Sequence, residues 1–211
     1  YIDSTAGVVL NLGPNSLAEG TYGGIYTAGI GGGQAQDGLG GTDVLSNFDF
    51  VVGSDYNDIL VGGSNSMLFN GVLFESFVGS SGDDFISGGV TSGVNSADND
   101  RVDYSGALAG VDVNFNTGVA SDGLGGTDTL VDINVVLGSA FADTLTGGNA
   151  GNDAFEMFEG GDGNDTIDGG TGLDRADYTA TATSGVVVNL SADTLVADPY
   201  GSIVLGGDVM A

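Results

Sequence analysis

The sequence predicts an all-β chain wound as a parallel β-helix, and three observations carry that prediction. Residues 160–177, GGDGNDTIDGGTGLDRAD, are two consecutive nonapeptides of the form G-G-x-G-x-D-x-U-x, with U apolar. Long blocks of sequence recur in one order along the chain, so the architecture is repetitive. Apolar residues come in short runs such as VVLNL, VDVNF and VVVNL, and no stretch shows a helical apolar period of useful length. In each nonapeptide six residues make a tight glycine-rich corner and the last three a short strand. Glycine is required where the corner adopts backbone angles that a side chain makes costly.

The corners also carry oxygen. Asp165 and Asp174 occupy the sixth position, and Ile167 and Ala176 the apolar eighth. Backbone carbonyls near Gly160, Asp162, Asn164, Gly169, Thr171 and Leu173 are expected to point inward beside those carboxylates. An all-oxygen donor set suits a hard cation, calcium ahead of magnesium because the cage is wide and flexible. Calcium takes six to eight oxygens, more than one corner supplies, so an Asp must recur once per coil and two stacked corners must share an ion. Looser corners follow that rule. They place Asp58 in GSDYNDILV, Asp84 in GSSGDDFIS, Asp143 in GSAFADTLT and Asp153 in GNAGNDAFE at the sixth position. GLGGTDVLS and GLGGTDTLV place Asp43 and Asp128 there, although an Asx-type turn explains those two equally well. Asp100 corresponds to Asp174 through DRVDY and DRADY. The spacings pair Asp143 with Asp165, Asp153 with Asp174, and, less firmly, Asp58 with Asp84. Val72 stands where the first unit would need its counterpart of Asp153, so a weaker or missing site is expected there.

The long repeat sets the units. YIDSTAGVVLNL at Tyr1 recurs as YSGALAGVDVNF at Tyr104 and YTATATSGVVVNL at Tyr178. DGLGGTDVLSNFDFVVGS at Asp37 recurs as DGLGGTDTLVDINVVLGS at Asp122, an offset of 85 residues, and FESFVGSSGDDFISGG at Phe74 recurs as FEMFEGGDGNDTIDGG at Phe155, an offset of 81. Three units follow: 1–103, 104–177 and a truncated 178–211, read as one continuous solenoid. Insertions near 13–36 and 90–99 in the first unit read as surface loops or an added hairpin. Leu45, Leu60, Ile86, Val102, Leu130, Leu145, Phe155 and Ile167, each two residues after a corner Asp, are expected to stack as an interior ladder.

The nonapeptides GGDGNDTID and GGTGLDRAD resemble the RTX family of hemolysin-type calcium-binding repeats, departing from its consensus only at the small Ala176. Looser copies extend the resemblance over most of the chain. It implies a β-roll in which two nonapeptides complete a coil and several calcium ions sit between stacked corners. It also implies a bacterial protein exported through a type I channel that folds on calcium outside the cell.

Composition narrows the function. The chain has 29 acidic residues against two Arg and no Lys or His, for a formal charge of −27, so a compact state without counter-ions repels itself strongly. About four to eight calcium ions would supply roughly +8 to +16. No basic patch exists to engage nucleic acid, and no apolar run approaches the length needed for membrane insertion. Cysteine is absent, which leaves metal as the staple. There is no signal-peptide pattern and no initiating Met, and the chain starts and stops inside repeats, so it reads as a fragment or processed product. Arg101 and Arg175 are expected to pair locally with Asp103 and Asp177 or to pack on Tyr.

Without His or Cys there is no Ser-His-Asp triad, imidazole zinc centre or thiol chemistry. Carboxylate pairs remain, but Glu75 and Glu156 recur with the repeat and nearly every Asp sits in a corner, so no enzyme is expected. The expected function is a calcium-binding structural segment of a secreted cell-surface protein: an S-layer subunit, an adhesin or a filament. The alternative is the C-terminal calcium-binding and secretion module of a type I secreted protease, lipase or alginate epimerase. The expected partners are calcium and other copies of the chain, end to end or laterally.

Overall fold

A computed structural model of the chain describes residues 1–63, 67–69, 72–89, 99–148, 155–179, 194–197 and 203–206. Among these, every regular element is a β-strand, and the chain is all-β as its sequence predicts. The first strands are β1 (Val9–Asn11), β2 (Gly20–Tyr22), β3 (Ile25–Thr27), β4 (Gln34–Gln36), β5 (Thr42–Val44), β6 (Phe50–Val52), β7 (Ile59–Val61), β8 (Met67–Phe69), β9 (Val72–Phe74), β10 (Ser76–Val78), β11 (Phe85–Ser87) and β12 (Arg101–Asp103). Then come β13 (Asp112–Asn114), β14 (Val119–Ser121), β15 (Thr127–Val131), β16 (Val135–Leu137), β17 (Thr144–Thr146), β18 (Phe155–Glu159), β19 (Thr166–Asp168), β20 (Leu173–Ala176), β21 (Thr194–Ala197) and β22 (Ile203–Gly206). The described residues form two compact units, Tyr1–Tyr178 and Thr179–Ala211. In the second, β21 pairs antiparallel with β22.

Most strands of the first unit are three residues long because a corner interrupts the chain at each end, and they feed two sheets in alternation. A ten-stranded sheet runs β19-β17-β13-β14-β15-β11-β7-β1-β4-β5, and a six-stranded sheet runs β20-β18-β16-β12-β10-β6. From β10 to β12 the chain goes from the second sheet to the first and back, and it repeats that traverse from β16 through β20. Every pairing in the six-stranded sheet is parallel. Both sheets continue through the boundary between residues 103 and 104.

Side chains alternate across a strand, so each short strand sends one central residue inward. In the larger sheet Leu10, Leu60, Ile86 and Leu130 stand in register, as do Val113, Leu145 and Ile167. In the smaller sheet Val51, Phe77, Val102, Val136, Phe158 and Ala176 do the same. One core cluster joins the two sets. Full burial of one such aliphatic or aromatic side chain contributes about 1.5–3 kcal/mol, so the core gains strand by strand along the ladders. Two expectations are corrected here. Phe155 is only half-buried, and Phe158 takes the ladder position because β18 is five residues long and its last turn of alternation faces the core. The larger sheet is also mixed. β13, β14 and β15 form an antiparallel meander, as do β1, β4 and β5. The DGLGGTD segments are therefore hairpin turns between neighbouring strands of one sheet.

The insertion near 13–36 adds strands too, while 90–98 of the other lies outside the described residues. β2 and β3 form an antiparallel hairpin inside 13–36, with Tyr22 edge-on to Phe85 at 5.5 Å between ring centroids. Outside both insertions, β8 and β9 form a further antiparallel pair.

Candidate metal centre

The corner builds its own acidic site. In 53–58 the Asp58 carboxylate folds back on its corner: Ser54 N–H donates to Oδ2 at 2.6 Å and Ser54 Oγ–H to Oδ1 at 2.7 Å. The Val8 N–H, at the start of the strand beside it, donates to the same Oδ1 at 2.6 Å. The corner 138–143 repeats the arrangement: Ser139 N–H and Oγ–H reach Asp143 at 2.7 and 2.6 Å, and Val111 N–H at 2.8 Å. A carboxylate is thus positioned by its own turn and read by the next strand.

Stacking then lines these carboxylates up. Asp58 N–H donates to Asp84 Oδ1 at 2.8 Å, Asp84 N–H to Asp128 Oδ1 at 3.0 Å, and Asp143 N–H to Asp165 Oδ1 at 3.1 Å. Tyr104 Oη–H closes the first column by donating to Asp128 Oδ2 at 2.8 Å. Glycine makes the stacking possible. At Gly161 (φ +90°) and Gly163 (φ +126°) the backbone is left-handed, and a Cβ would collide with the Ser139 and Phe141 carbonyls of the corner beneath. A Cβ at Gly138 would likewise strike the Asp143 carboxylate and the Gly160 carbonyl. Corner glycines therefore mark where carbonyl and carboxylate oxygens crowd together.

That crowding is electrostatically costly. Burial, followed by the neighbouring Asp128 charge, pushes the Asp84 carboxyl up to about 8. Burial pushes Asp128 up to about 7, against hydrogen bonds that hold it down. Asp58 is raised by burial, and so is Asp165, with the Asp143 charge adding to it. Tyr104 is pushed well above its ordinary value by burial and then by Asp128. Asp84 Oδ2, Asp122 Oδ2 and Asp174 Oδ1 are buried with no hydrogen-bond donor. Orphaned carboxyl oxygens beside crowded carbonyls are a donor set for a hard cation. Among the described residues no three carboxylates converge on one point, so an ion there would take backbone carbonyls along with one or two Asp side chains.

Most residues singled out from the sequence gather into these columns. Asp143 meets Asp165 and Asp58 meets Asp84, as the spacing implies. Asp128 joins Asp84 by stacking. At the smaller sheet Asp100 Oδ1 accepts from Glu75 N–H at 3.2 Å, and Asp174 stands in register with Glu156. Asp43 is exposed at the end of the larger sheet and accepts from Tyr1 Oη–H at 3.0 Å. Asp153 lies outside the described residues. Asp162, Asn164, Thr171 and Leu173 are exposed, while Gly160 and Gly169 turn their carbonyls toward Gly138 and Gly147. Arg101 and Arg175 pair with Asp103 and Asp177 at 3.4 and 2.6 Å.

Three participants were not legible as such. Asp122 is fully buried and its Oδ1 accepts from Leu124, Gly125 and Gly126 N–H groups at 2.8–2.9 Å. Glu75 and Glu156 accept from Gly63 and Gly148 N–H, the same role at equivalent places. Their recurrence with the repeat was the available signal. No family model matches the chain, and a search of the curated proteins finds no match.

Proposed function

We propose that this chain is a calcium-binding structural segment of a secreted cell-surface protein, a β-roll whose stacked corners condense on calcium outside the cell. One observation carries the reading: the Asp58–Asp84–Asp128 column, in which buried like charges lie in contact through the backbone and Asp84 Oδ2 has no donor. A chain of formal charge −27 gains little from such a column unless a cation neutralises it. Asp58, Asp84, Asp128, Asp143 and Asp165, with Asp174 and the carbonyls of Gly160 and Gly169, would hold the ions. Calcium supplies positive charge and a flexible shell of six to eight oxygens. The protein's own contribution is to fix the carboxylates by Ser54 and Ser139 and to stack them at one coil spacing. Binding energy then becomes folding energy. The extracellular assignment rests on the resemblance of the nonapeptides and on the millimolar affinity typical of extracellular sites.

The test is a titration of metal-free protein with calcium, and with magnesium for comparison. Bound ions are counted by equilibrium dialysis and β-structure is followed by far-ultraviolet circular dichroism. Several calcium ions should bind as the β signal grows, with magnesium a poor substitute. A metal-free chain already fully folded, or one that binds no calcium at millimolar concentration, overturns the proposal.

A further inference from the structure

The joint between the two long repeats leaves two carboxyl oxygens unanswered. Corner 79–84 belongs to the first repeat and the DGLGGTD turn, 122–128, to the second. They stack where β11 pairs in parallel with β15. Thr127 N–H donates to Asp83 Oδ1 at 2.8 Å and Asp84 N–H to Asp128 Oδ1 at 3.0 Å, so the two segments are held in register. Gly126 lies against the Gly82 carbonyl: a Cβ there would fall 1.9 Å from that oxygen and 2.9 Å from Asp122 Oδ2. The bare face of Gly126 therefore brings a carbonyl of one repeat beside a carboxylate of the other.

Asp84 lacks a donor that its counterparts have. At Asp58 and Asp143, the Ser54 and Ser139 N–H groups donate to Oδ2. Ser80 holds the equivalent place in 79–84, but its backbone is left-handed (φ 74°), as at Gly161 (φ 90°), and Asp84 Oδ2 has no partner. Asp122 is in the same state on the other side of the joint. Its Oδ1 accepts three N–H groups of its own turn, and its Oδ2 accepts none. Both residues are buried, at 1% and 0% exposed. A buried carboxylate oxygen without a donor is far costlier than a paired one. Two of them at one joint, with a carbonyl alongside, call for a cation.

We infer that one calcium ion is held between corner 79–84 and turn 122–128, with Asp84 Oδ2 and Asp122 Oδ2 as its carboxylate ligands and the Gly82 carbonyl beside them. Further carbonyls or water complete the six to eight oxygens that calcium takes. Asp122 stands at no sixth position, so the nonapeptide pattern does not place this ligand. Its two oxygens divide the work: Oδ1 shapes the turn and Oδ2 meets the ion. Asp84 belongs to one repeat and Asp122 to the other, so the ion fastens the repeats together. The inference rests on the calcium reading and adds to it a ligand, a site and a consequence.

Equilibrium dialysis of the full chain at saturating calcium tests it, on wild type, Asp84→Asn, Asp122→Asn and the double variant. Asparagine keeps a side-chain oxygen for the Asp58 N–H at one site and for the Leu124, Gly125 and Gly126 N–H groups at the other. Corner and turn are thus retained while the anion is lost, and circular dichroism in calcium should match wild type. Each single variant should bind one ion fewer than wild type, and the double variant also one fewer, because both residues hold the same ion. Asp83→Asn makes the same charge change at the same joint, but Asp83 is exposed and its Oδ1 already accepts Thr127 N–H; it should keep the full count. Terbium(III), a luminescent stand-in for calcium, gives a second readout. Tyr104, bonded to Asp128 at 2.8 Å, is placed to pass excitation to a terbium ion at this joint, so Tyr104→Phe should dim the tyrosine-sensitised emission. A full ion count in Asp122→Asn overturns the inference, and so does a double variant that loses two ions or emission unchanged in Tyr104→Phe. A wild-type chain that binds no calcium overturns the underlying calcium reading, and this site with it.

Discussion

Metal-free protein moved from pH 8 to pH 5 should gain β-structure, because protons then neutralise the carboxylate column. Asp84 and Asp128 are the groups concerned, raised from the usual 3.8 to about 8 and about 7, in both cases chiefly by burial. In the unfolded chain such carboxyls titrate near about 3.9. The folded form therefore holds extra protons between about pH 4 and 8, and its stability falls as pH rises through that window. The sign is opposite to that of a salt-bridged carboxylate, which favours folding at neutral pH. One extra bound proton is worth about 1.4 kcal/mol for each pH unit. From pH 8 to 5 that makes about 4 kcal/mol for Asp84 and about 3 kcal/mol for Asp128 taken singly. The Asp128 charge is one of the causes that raise Asp84, so their protons are not independent, and about 4 kcal/mol for the pair is the expected gain. Net stabilities run at about 5–15 kcal/mol, so a gain of that size moves a marginal chain from mostly unfolded to mostly folded. The assay is far-ultraviolet circular dichroism with a urea midpoint at each pH, on protein freed of metal by dialysis because chelators lose their grip in acid. An Asp84→Asn, Asp128→Asn double variant should flatten the response. Equal unfolding at both pH values, or a double variant that keeps the full response, would refute the reasoning.

Three further outcomes are expected. Phe158→Ala, in the core beside Phe115 and between Val136 and Ala176, should cost about 3–5 kcal/mol in a urea titration at saturating calcium, while exposed Leu39→Ala stays within about 0.5 kcal/mol. Asp165→Ala should raise the calcium concentration at the folding midpoint; Arg175→Ala, whose partner is Asp177 on a half-exposed pair, should change it less, by at most about 1 kcal/mol. Gly163→Ala forces a side chain into a left-handed backbone against the Phe141 carbonyl and should lower the melting temperature by the equivalent of about 1–3 kcal/mol, whereas Gly106→Ala, with open space around it, should leave it nearly unchanged.

Much of this was written in the chain. The sixth-position rule found Asp58, Asp84, Asp143 and Asp165, because each corner has one place from which a carboxylate reaches both its own turn and the next coil. Strand positions Leu60, Ile86, Val102 and Leu145 followed from the same rule and are fully buried. The direction of neighbouring strands was not legible: an apolar–polar alternation looks the same in parallel and antiparallel pairs. The DGLGGTD segments misled for a related reason. They carry two Asp residues, and it is the first, Asp122 or Asp37, that closes the turn by accepting several N–H groups. That frees the last, Asp128, to stack. The clue to the meander was local, an N-T-G turn ending at Gly118 with φ +66°, and in the first unit the β2–β3 insertion obscures it.

Three-residue strands in parallel ladders have a mechanical consequence. Tension applied along the stacking direction loads the few bonds between one short strand and its neighbour, so yielding proceeds one strand layer at a time. The 22 residues that separate Asp143 from Asp165 span up to about 75 Å when drawn straight, against a rise of about 4.8 Å while stacked. Each strand layer surrendered releases a long reserve of slack, which can be taken up again when the pull relaxes.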